Sequence, residues 1–232
     1  MPSAIKAILW DCDGCLIDSE YIACDLAARM LTEAGYQLTT ESFIRRFCGQ
    51  GSQHTYDTIQ KETGIDFRHT LEKNNKKALQ KEVFDKHLTA IKDVVKVLNN
   101  LSFLPMAIAS GSEYDRLKYT LEITGLYSRF EGRIFSSSLV KKGKPEPDIF
   151  LYAAQQLGVQ KNHCLVIEDS LNGVKAGKAA GMTTWGFTGG SHIVDKKSHG
   201  QELLSLGADH VFDSMLDLLA FVTPQIYPQM QP

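Results

Sequence analysis

The sequence has little of what marks membrane, secreted or nucleic-acid-binding proteins. Its 232 residues contain no apolar run near the roughly 20 residues that a membrane-spanning helix needs. The first apolar stretch meets Asp11 almost at once, too early for a secretory signal. The 25 basic and 27 acidic side chains give a net charge of -2, so no overall field attracts nucleic acid or acidic membranes. We therefore expect a cytoplasmic protein that binds neither nucleic acid nor membrane.

Cysteine is too scarce and too scattered for a disulfide framework. The cysteines are Cys12, Cys15, Cys24, Cys48 and Cys164. Their number is odd, and a cytosolic thiol pool would keep them reduced. The Cys12-x-x-Cys15 pair has no second C-x-x-C or H-x-x-H to complete a zinc site. Asp13 between the two cysteines would raise the pKa of a neighbouring thiol, which opposes redox reactivity. We therefore interpret both as small apolar residues beside a loop.

Short apolar runs alternate with amphipathic helical patterns along most of the chain. The runs lie at residues 4–10, 104–110, 132–137, 163–170, 183–187 and 208–212. Runs of this length, bounded by polar residues or glycine, are typical of strands buried on both faces. Ser170 is a candidate N-cap for one intervening helix, and Gly158 ends another. The alternation predicts a parallel, doubly wound (Rossmann-like) α/β sheet.

The segment from about residue 16 to residue 90 has helical patterns and no convincing buried strand. The simplest architecture inserts an all-helical domain, residues 16–90, after the first strand of an α/β core made of residues 1–15 and 91–232. Gly14 and the segment 88–91 are then the expected hinges.

Polar side chains follow several predicted strands where ligands bind in parallel α/β sheets, at the carboxyl ends. Asp11 and Asp13 follow the first strand, and Ser110 follows the second. Lys144 comes soon after the third, and the pair Glu168-Asp169 follows the fourth. Each residue alone could be a helix cap. Together they predict an active site at this edge of the sheet.

These segments resemble the motifs of the haloacid dehalogenase-like hydrolases. "DCDGCLIDSE" is similar to the family's first motif, D-x-D-G-[TV]-L-x-D-[ST], with Cys15 where Thr or Val is usual. "ASGS", "KGKPEPDIF" and "VIEDSLNGVKAGKAAGM" resemble the second, third and fourth motifs. The resemblance covers essentially the whole chain, including a helical cap domain inserted after the first motif.

The resemblance and the residue types together imply phosphoryl transfer through an aspartyl-phosphate. Asp11 is the expected nucleophile, which divides one difficult hydrolysis into two easier steps. Asp13, two residues further along an extended chain, is the expected general acid and base. Two buried like charges are costly unless a cation lies near them.

That cation is expected to be Mg²⁺, a hard ion that prefers oxygen ligands. The expected ligands are Asp11, the Asp13 backbone carbonyl and Asp169, with Glu168 ligating directly or through water. The expected phosphate contacts are Ser110 and the backbone amides around Gly111 and Gly14.

Lys144 is expected to contribute positive charge to the phosphate and to Asp11. The resemblance places the functional lysine directly before a proline, as Lys144 lies before Pro145. Its rivals Lys141 and Lys142 are expected to be solvated.

Residue choices within the family favour a phosphatase. Dehalogenases replace the second Asp with an aromatic residue, and phosphonatases lack it, so Asp13 argues against both. Mutases that resemble β-phosphoglucomutase usually have a His where this chain has Ala23, and a G-x-S-R loop where it has residues 49–52 without the Arg. Arg45 and Arg46, just before that loop, either meet an anionic substrate or form a solvated helix face.

Three functions remain under consideration. The preferred one is a Mg²⁺-dependent phosphatase of small phosphorylated metabolites, of the sugar or sugar-acid class. A sugar phosphomutase and a non-catalytic protein that binds phosphorylated metabolites are the alternatives. The helical cap is expected to close over such a substrate, and nothing in the sequence indicates an interface, so a monomer is weakly favoured.

Overall fold

The structure, a computed structural model, describes residues 4–50, 52–68 and 76–226. The described helices are all too short or too polar to cross a bilayer. The chain divides into two compact units. The first, here called the sheet unit, consists of Met1–Asp18 and Thr89–Pro232, and the second, the helical unit, of Ser19–Leu88.

The sheet unit extends a few residues further at each boundary than the sequence analysis expected. The Asp18 amide donates to the Thr89 carbonyl at 3.0 Å, and Ile17 forms an isolated antiparallel bridge with Ala90. The backbone pairing of these two segments explains why they group with the sheet, although their side chains gave no strand pattern in the sequence.

The sheet unit is built on a six-stranded parallel sheet in the order β3-β2-β1-β4-β5-β6. The strands are β1 (Ala7–Trp10), β2 (Met106–Ser110), β3 (Ile134–Ser136), β4 (Cys164–Glu168), β5 (Thr183–Phe187) and β6 (His210–Phe212). All five neighbouring pairs are parallel. Each strand lies within one of the predicted apolar runs, and the predicted doubly wound α/β fold is confirmed.

Over its described residues, the helical unit consists of helices and loops without a strand. The helices are α1 (Glu20–Glu33), α2 (Thr40–Phe47), α3 (Ser52–Thr63) and α4 (Lys76–His87). Apolar side chains of α1, α2 and α3 form a separate core that includes Leu31, Phe43 and Ile59. The Thr39 hydroxyl accepts a hydrogen bond from the Ser42 amide and so caps α2.

The remaining helices flank the sheet. They are α5 (Val94–Asn100), α6 (Tyr114–Ile123), α7 (Tyr127–Phe130), α8 (Asp148–Gln156), α9 (Leu171–Ala179), α10 (Lys196–Ser205) and α11 (Met215–Ile226). As predicted, Ser170 caps α9, with its hydroxyl accepting from the Gly173 amide at 3.0 Å. Gly158 follows α8 in the left-handed conformation that ends many helices (φ +68°).

The core is centred on β1 and β4, the two middle strands. Leu9 and Val166 are register partners on these strands and are fully buried, and Phe150 and Ala153 of α8 pack in the same cluster. A second cluster holds α9 and α10 together through Val174 and Leu203. Burial of both strands on both faces gives β1 and β4 rigid ends, on which side chains can be positioned.

Two adjacent leucines of α10 provide a matched test of this packing. Leu203 is fully buried, whereas Leu204 is 50% exposed. We expect Leu203→Ala to lower the free energy of unfolding by about 2–5 kcal/mol, because it removes buried methyl groups and leaves a cavity. Leu204→Ala should change it by less than about 0.5 kcal/mol. Urea unfolding of both variants measures the difference, and equal losses would show that α10 is not packed as described.

Candidate active site

The strand order reverses between β1 and β4, the point where ligands bind in doubly wound sheets. Asp11 directly follows β1, and Glu168 ends β4 with Asp169 directly after it. The Asp11 amide donates to the Ile167 carbonyl at 2.9 Å, which holds the chain leaving β1 against β4. The three predicted carboxylates therefore lie at the same edge of the sheet.

Lys144 lies between two of these carboxylates. Its Nζ donates to Asp11 Oδ1 and to Glu168 Oε1, each at 2.5 Å. The three side chains are at most 10% exposed, so these are buried ion pairs. The ammonium also lies 4.9 Å from the centre of the buried Phe150 ring. The predicted rivals Lys141 and Lys142 are exposed.

Burial and neighbouring charges oppose each other in this group. Desolvation raises the pKa of Asp11 well above its usual value; Lys144 opposes the shift, and the carboxylates of Glu168 and Asp169 add to it. Burial acts to lower the pKa of Lys144, but the charges of Asp11 and Glu168 raise it overall. Lys144 pairs with Asp11 and Glu168, and Asp169 adds a third nearby carboxylate. A further positive charge in this cluster would therefore be stabilised by the carboxylates.

Over the described residues, the contacts of Lys144 with these carboxylates go to Asp11 and Glu168, whereas Asp169 has other neighbours. Its Oδ2 lies 3.0 Å from His192 Nε2, and its Oδ1 accepts a long hydrogen bond from the Cys15 thiol at 3.8 Å. Ligand atoms of Asp11, Cys15 and Asp169 lie within 4.8 Å of one another, close enough to share a metal ion.

The donors of this cluster fit a hard divalent cation. Burial, followed by the charges of Asp169 and Asp11, raises the pKa of Cys15 well above its usual value, which disfavours the thiolate form that metal ligation needs. The carboxylates of Asp11 and Asp169 remain as donors, and oxygen ligands are those that hard cations prefer.

The same physics explains why the Cys12-x-x-Cys15 pair is not a reactive dithiol. Both side chains are fully buried. Burial raises the pKa of Cys12 well above its usual value, and Asp13 is the next largest cause. The sequence analysis identified the effect of Asp13 but not the larger effect of burial.

Position 14 has to be glycine because the side chains of Asp169 and His192 approach its backbone closely. It has φ +79°, and a Cβ at this position would lie 2.0 Å from Asp169 Oδ2 and 2.8 Å from His192 Cε1. Its amide, expected to contact phosphate, donates to the Ile17 carbonyl at 2.8 Å instead. In this structure Gly14 therefore makes space for Asp169, and a phosphate contact would require that backbone hydrogen bond to break.

Asp13 is held by two residues that the sequence analysis missed. Arg116 of α6 approaches both carboxylate oxygens, with Nη1 and Nη2 each at 3.0 Å, and the Ser112 hydroxyl donates to Oδ2 at 2.6 Å. Arg116 Nη1 also donates to the Ser112 hydroxyl at 2.6 Å. Because the guanidinium contacts both oxygens, it fixes the orientation of the Asp13 carboxylate and also balances its negative charge. Ser112 is the last residue of the "ASGS" segment but was given no role in the sequence analysis, and nothing near Arg116 in the sequence indicated this pairing.

The predicted phosphate-binding segment after β2 is ordered by serine side chains. Ser110 is buried, and its hydroxyl accepts from the Ser112 amide at 3.1 Å. The Ser137 hydroxyl donates to the Gly111 carbonyl at 2.8 Å, and a Cβ at Gly111 would meet open space. The predictions that Ser110 and Gly111 bind phosphate, and that Glu168 and the Asp13 carbonyl ligate the metal, stay predictions.

In the helical unit, Arg46 is engaged in a local network. Its guanidinium donates to both Glu62 oxygens at 2.6 and 2.8 Å and to the Tyr36 hydroxyl at 2.7 Å. This favours the structural interpretation of Arg46, whereas Arg45 is exposed. The loop compared with the mutase G-x-S-R motif includes Gly51, which lies outside the described residues.

Comparison with known proteins supports the resemblance to the haloacid dehalogenase-like hydrolases. The family model of the haloacid dehalogenase-like hydrolases matches residues 5–181. Among curated proteins, the chain is 28% identical over 190 residues to the 6-phosphogluconate phosphatase of Escherichia coli, covering 82% of this chain and 86% of that protein. It is 30% identical over 177 residues to the E. coli fructose-1-phosphate phosphatase YqaB, covering 75% and 92%.

Solved structures extend the similarity to nearly the whole chain. A conserved haloacid dehalogenase-like protein of unknown function from Agrobacterium tumefaciens is 36% identical, with a TM-score of 0.86 over 94% of this chain and 98% of that one. A proposed β-phosphoglucomutase from Thermotoga maritima is 26% identical, with a TM-score of 0.76 over 94% and 100%.

The space beside Asp169 gives a test with a control at similar backbone geometry. Gly14→Ala and Gly158→Ala both place a side chain at left-handed φ, which costs roughly 1–2 kcal/mol. Only at Gly14 does the new Cβ meet a neighbour within 4 Å. We therefore expect Gly14→Ala to lower the free energy of unfolding further and to abolish phosphate-ester hydrolysis, while Gly158→Ala keeps its activity. Equal stability and activity of the two variants would contradict the described packing.

The buried ion pairs predict a pH-dependent stability. Lys144→Met leaves Asp11 and Glu168 without their cation, which should cost about 3–5 kcal/mol. The pKa of Asp11 is already raised, so folding favours its protonated form, and without Lys144 this preference increases. The loss should therefore be smaller near pH 5 and grow towards about pH 8, where an ionised Asp11 must be buried unpaired. Urea unfolding across this range measures it.

The exposed Lys142→Met is the matched control for this series. It should change the free energy of unfolding by less than about 0.5 kcal/mol at every pH. A Lys144→Met loss that stays constant with pH would show that Asp11 is not coupled to Lys144 as described.

Proposed function

The chain belongs to the haloacid dehalogenase-like hydrolase family, and on that premise we propose that it is a Mg²⁺-dependent phosphatase acting through an aspartyl-phosphate on Asp11. The observation that supports this most is the contact of Asp11 with Lys144 beside Glu168 and Asp169. A cation within 2.5 Å of the carboxylate stabilises its ionised form, which is the form that attacks phosphorus.

Lys144 has two tasks in this proposal. It orients Asp11 through one hydrogen bond while Glu168 holds the ammonium from the other side. Its charge would also attract the negative oxygens of an approaching phosphate, because a fixed ammonium stabilises them. Glu168 itself is held by the amide and the hydroxyl of Ser170, each at 2.9 Å, so the lysine has a rigid support.

Asp11 and Asp169 are the side chains that would hold Mg²⁺, and the bound ion would supply positive charge to the phosphoryl oxygens. The chain contributes the position of these ligands. His192 fixes one oxygen of Asp169, and Gly14 leaves the space in which that carboxylate lies. The buried Cys15 is the third neighbour of this cluster, and its thiol is uncharged.

Asp13 is the proposed acid and base. In its protonated form it gives a proton to the leaving alkoxide oxygen, and as a carboxylate it then takes one from the attacking water. Ser112 and Arg116 hold both of its oxygens in the present structure. By contacting both oxygens, Arg116 fixes the orientation of the Asp13 carboxylate, so we assign it as a positioning residue.

The proposed substrates are small sugar or sugar-acid phosphates. Relatives named as 6-phosphogluconate and fructose-1-phosphate phosphatases support this class. The mutase alternative is supported by the similarity to the proposed β-phosphoglucomutase. Against it stand Ala23, where such mutases have His, and the missing Arg in the loop at residues 49–52.

Asp11→Asn is the decisive variant for the nucleophile. We expect Mg²⁺-dependent release of phosphate from p-nitrophenyl phosphate to fall on the order of a thousandfold or more, because an amide does not attack phosphorus. Asp115→Asn, an exposed carboxylate of α6, should keep wild-type activity and is the control. Full activity in Asp11→Asn would exclude the proposed nucleophile.

A second assay separates phosphatase from mutase. The wild-type protein is incubated with β-glucose 1-phosphate and a glucose bisphosphate activator, and both glucose 6-phosphate and free phosphate are quantified. We expect free phosphate to predominate, as it should also with 6-phosphogluconate as substrate. Accumulation of glucose 6-phosphate over free phosphate would favour the mutase.

A further inference from the structure

The helical unit contains a second group of metal-ligating side chains, made of Glu20, Cys24 and Cys48. Glu20 and Cys24 are four residues apart on α1, one helical turn, and therefore lie on the same face. Cys48 directly follows α2 and leaves the helical conformation, with φ -59° and ψ 134°. The contact between α1 and α2 brings all three together.

The ligand atoms converge closely enough for one ion. One atom each from Glu20, Cys24 and Cys48 lies within 4.8 Å of the other two, and the Cys48 thiol donates to Glu20 Oε2 at 3.5 Å. Bonds of about 2.3 Å to sulfur in tetrahedral zinc sites place two sulfur ligands roughly 3.8 Å apart. The three side chains therefore need to shift by only about 1 Å to surround an ion.

The surroundings also suit a bound ion. Cys24 is only 4% exposed and belongs to the apolar core of the helical unit, whereas Glu20 and Cys48 are half-buried. The site is therefore bordered on one side by the apolar core and is partly accessible to solvent on the other. All five cysteines of the chain are thiols, so Cys24 and Cys48 are not linked by a disulfide.

We propose that Glu20, Cys24 and Cys48 bind a thiophilic divalent cation of the Zn²⁺ class, with water completing the coordination. On binding, the two thiols release two protons to solvent and form two metal–sulfur bonds, while the Glu20 carboxylate provides the oxygen ligand. The ion would connect the first turn of α1 to the end of α2. This proposal is independent of the proposed phosphatase function.

Ligand chemistry distinguishes this site from the Asp11 cluster. Thiolates select Zn²⁺ and Cd²⁺, whereas carboxylates without thiolates suit Mg²⁺. Saturating Mg²⁺ should therefore occupy the carboxylates of Asp11 and Asp169 and leave the two thiols of the helical unit available to a soft ion.

The test is a Cd²⁺ titration of the full chain, reduced and kept in excess Mg²⁺, followed by the ultraviolet thiolate-to-cadmium charge-transfer band and by calorimetry. We expect one tight equivalent with a band from two thiolates. Cys24→Ser and Cys48→Ser should each weaken binding at least about tenfold and reduce the band, and binding should weaken as pH falls because protons compete with the ion.

Two other cysteines are matched controls. Cys164→Ser changes a buried thiol of β4, and Cys15→Ser removes the thiol beside Asp11 and Asp169. Both should keep the tight equivalent. Tight binding that survives Cys48→Ser, or that disappears in Cys15→Ser, would overturn the proposal.

A stability readout guards against misfolded variants. Zn²⁺ should raise the thermal midpoint of the wild-type protein, because a ligand that binds only the folded state stabilises it. Glu20→Gln keeps both thiols and should retain the two-thiolate band with weaker affinity. If Cys24→Ser fails to fold because its site is buried, the half-buried Cys48→Ser decides, since a Zn²⁺ shift equal to that of the wild type in this variant would refute the site.

Discussion

The active site depends on a balance of charge in a buried place. Asp11, Glu168 and Asp169 lie at the ends of the two central strands, where water is largely excluded, and the Lys144 ammonium lies between the first two. Burying several carboxylates without positive charge would cost several kcal/mol each. Lys144 reduces that cost for Asp11 and Glu168, and the ligand atoms of Asp11 and Asp169 lie close enough together to hold a cation that would reduce it further.

The fold supplies this arrangement through a few local features. Parallel strands end at the same edge, so residues more than 130 positions apart, such as Asp11 and Lys144, come into contact. Ser170 both caps α9 and holds Glu168, which couples the start of a helix to the support of the lysine. Gly14 gives the chain leaving β1 the left-handed turn and the space that Asp169 needs. Packing and chemistry therefore use the same residues.

Much of this was predictable because short motifs fix it locally. Strand-end positions predicted that Asp11 and Asp169 lie at one edge of the sheet, the resemblance selected Lys144 before Pro145, and alternating patterns predicted the sheet. The catalytic roles of these residues stay predictions. Arg116 was missed because it lies 103 positions from Asp13 and forms part of an ordinary amphipathic helix pattern.

The cysteines show the same limit. Cys48 lies 28 positions from Glu20, and only the packing of α2 on α1 brings them together, so the sequence indicated scattered thiols. The boundaries of the two units were also not predicted, because they depend on hydrogen bonds between main-chain atoms, which any side chains would allow.

The most direct test of the central claim is to identify the phosphorylated side chain during turnover. The wild-type protein with substrate and Mg²⁺ is quenched in acid and treated with labelled borohydride, which reduces an acyl phosphate to the alcohol, and the labelled peptide is sequenced by mass spectrometry. We predict label at residue 11 alone, in amounts that fall when substrate is exhausted. Label on another residue, or none in an actively hydrolysing sample, would contradict covalent catalysis by Asp11.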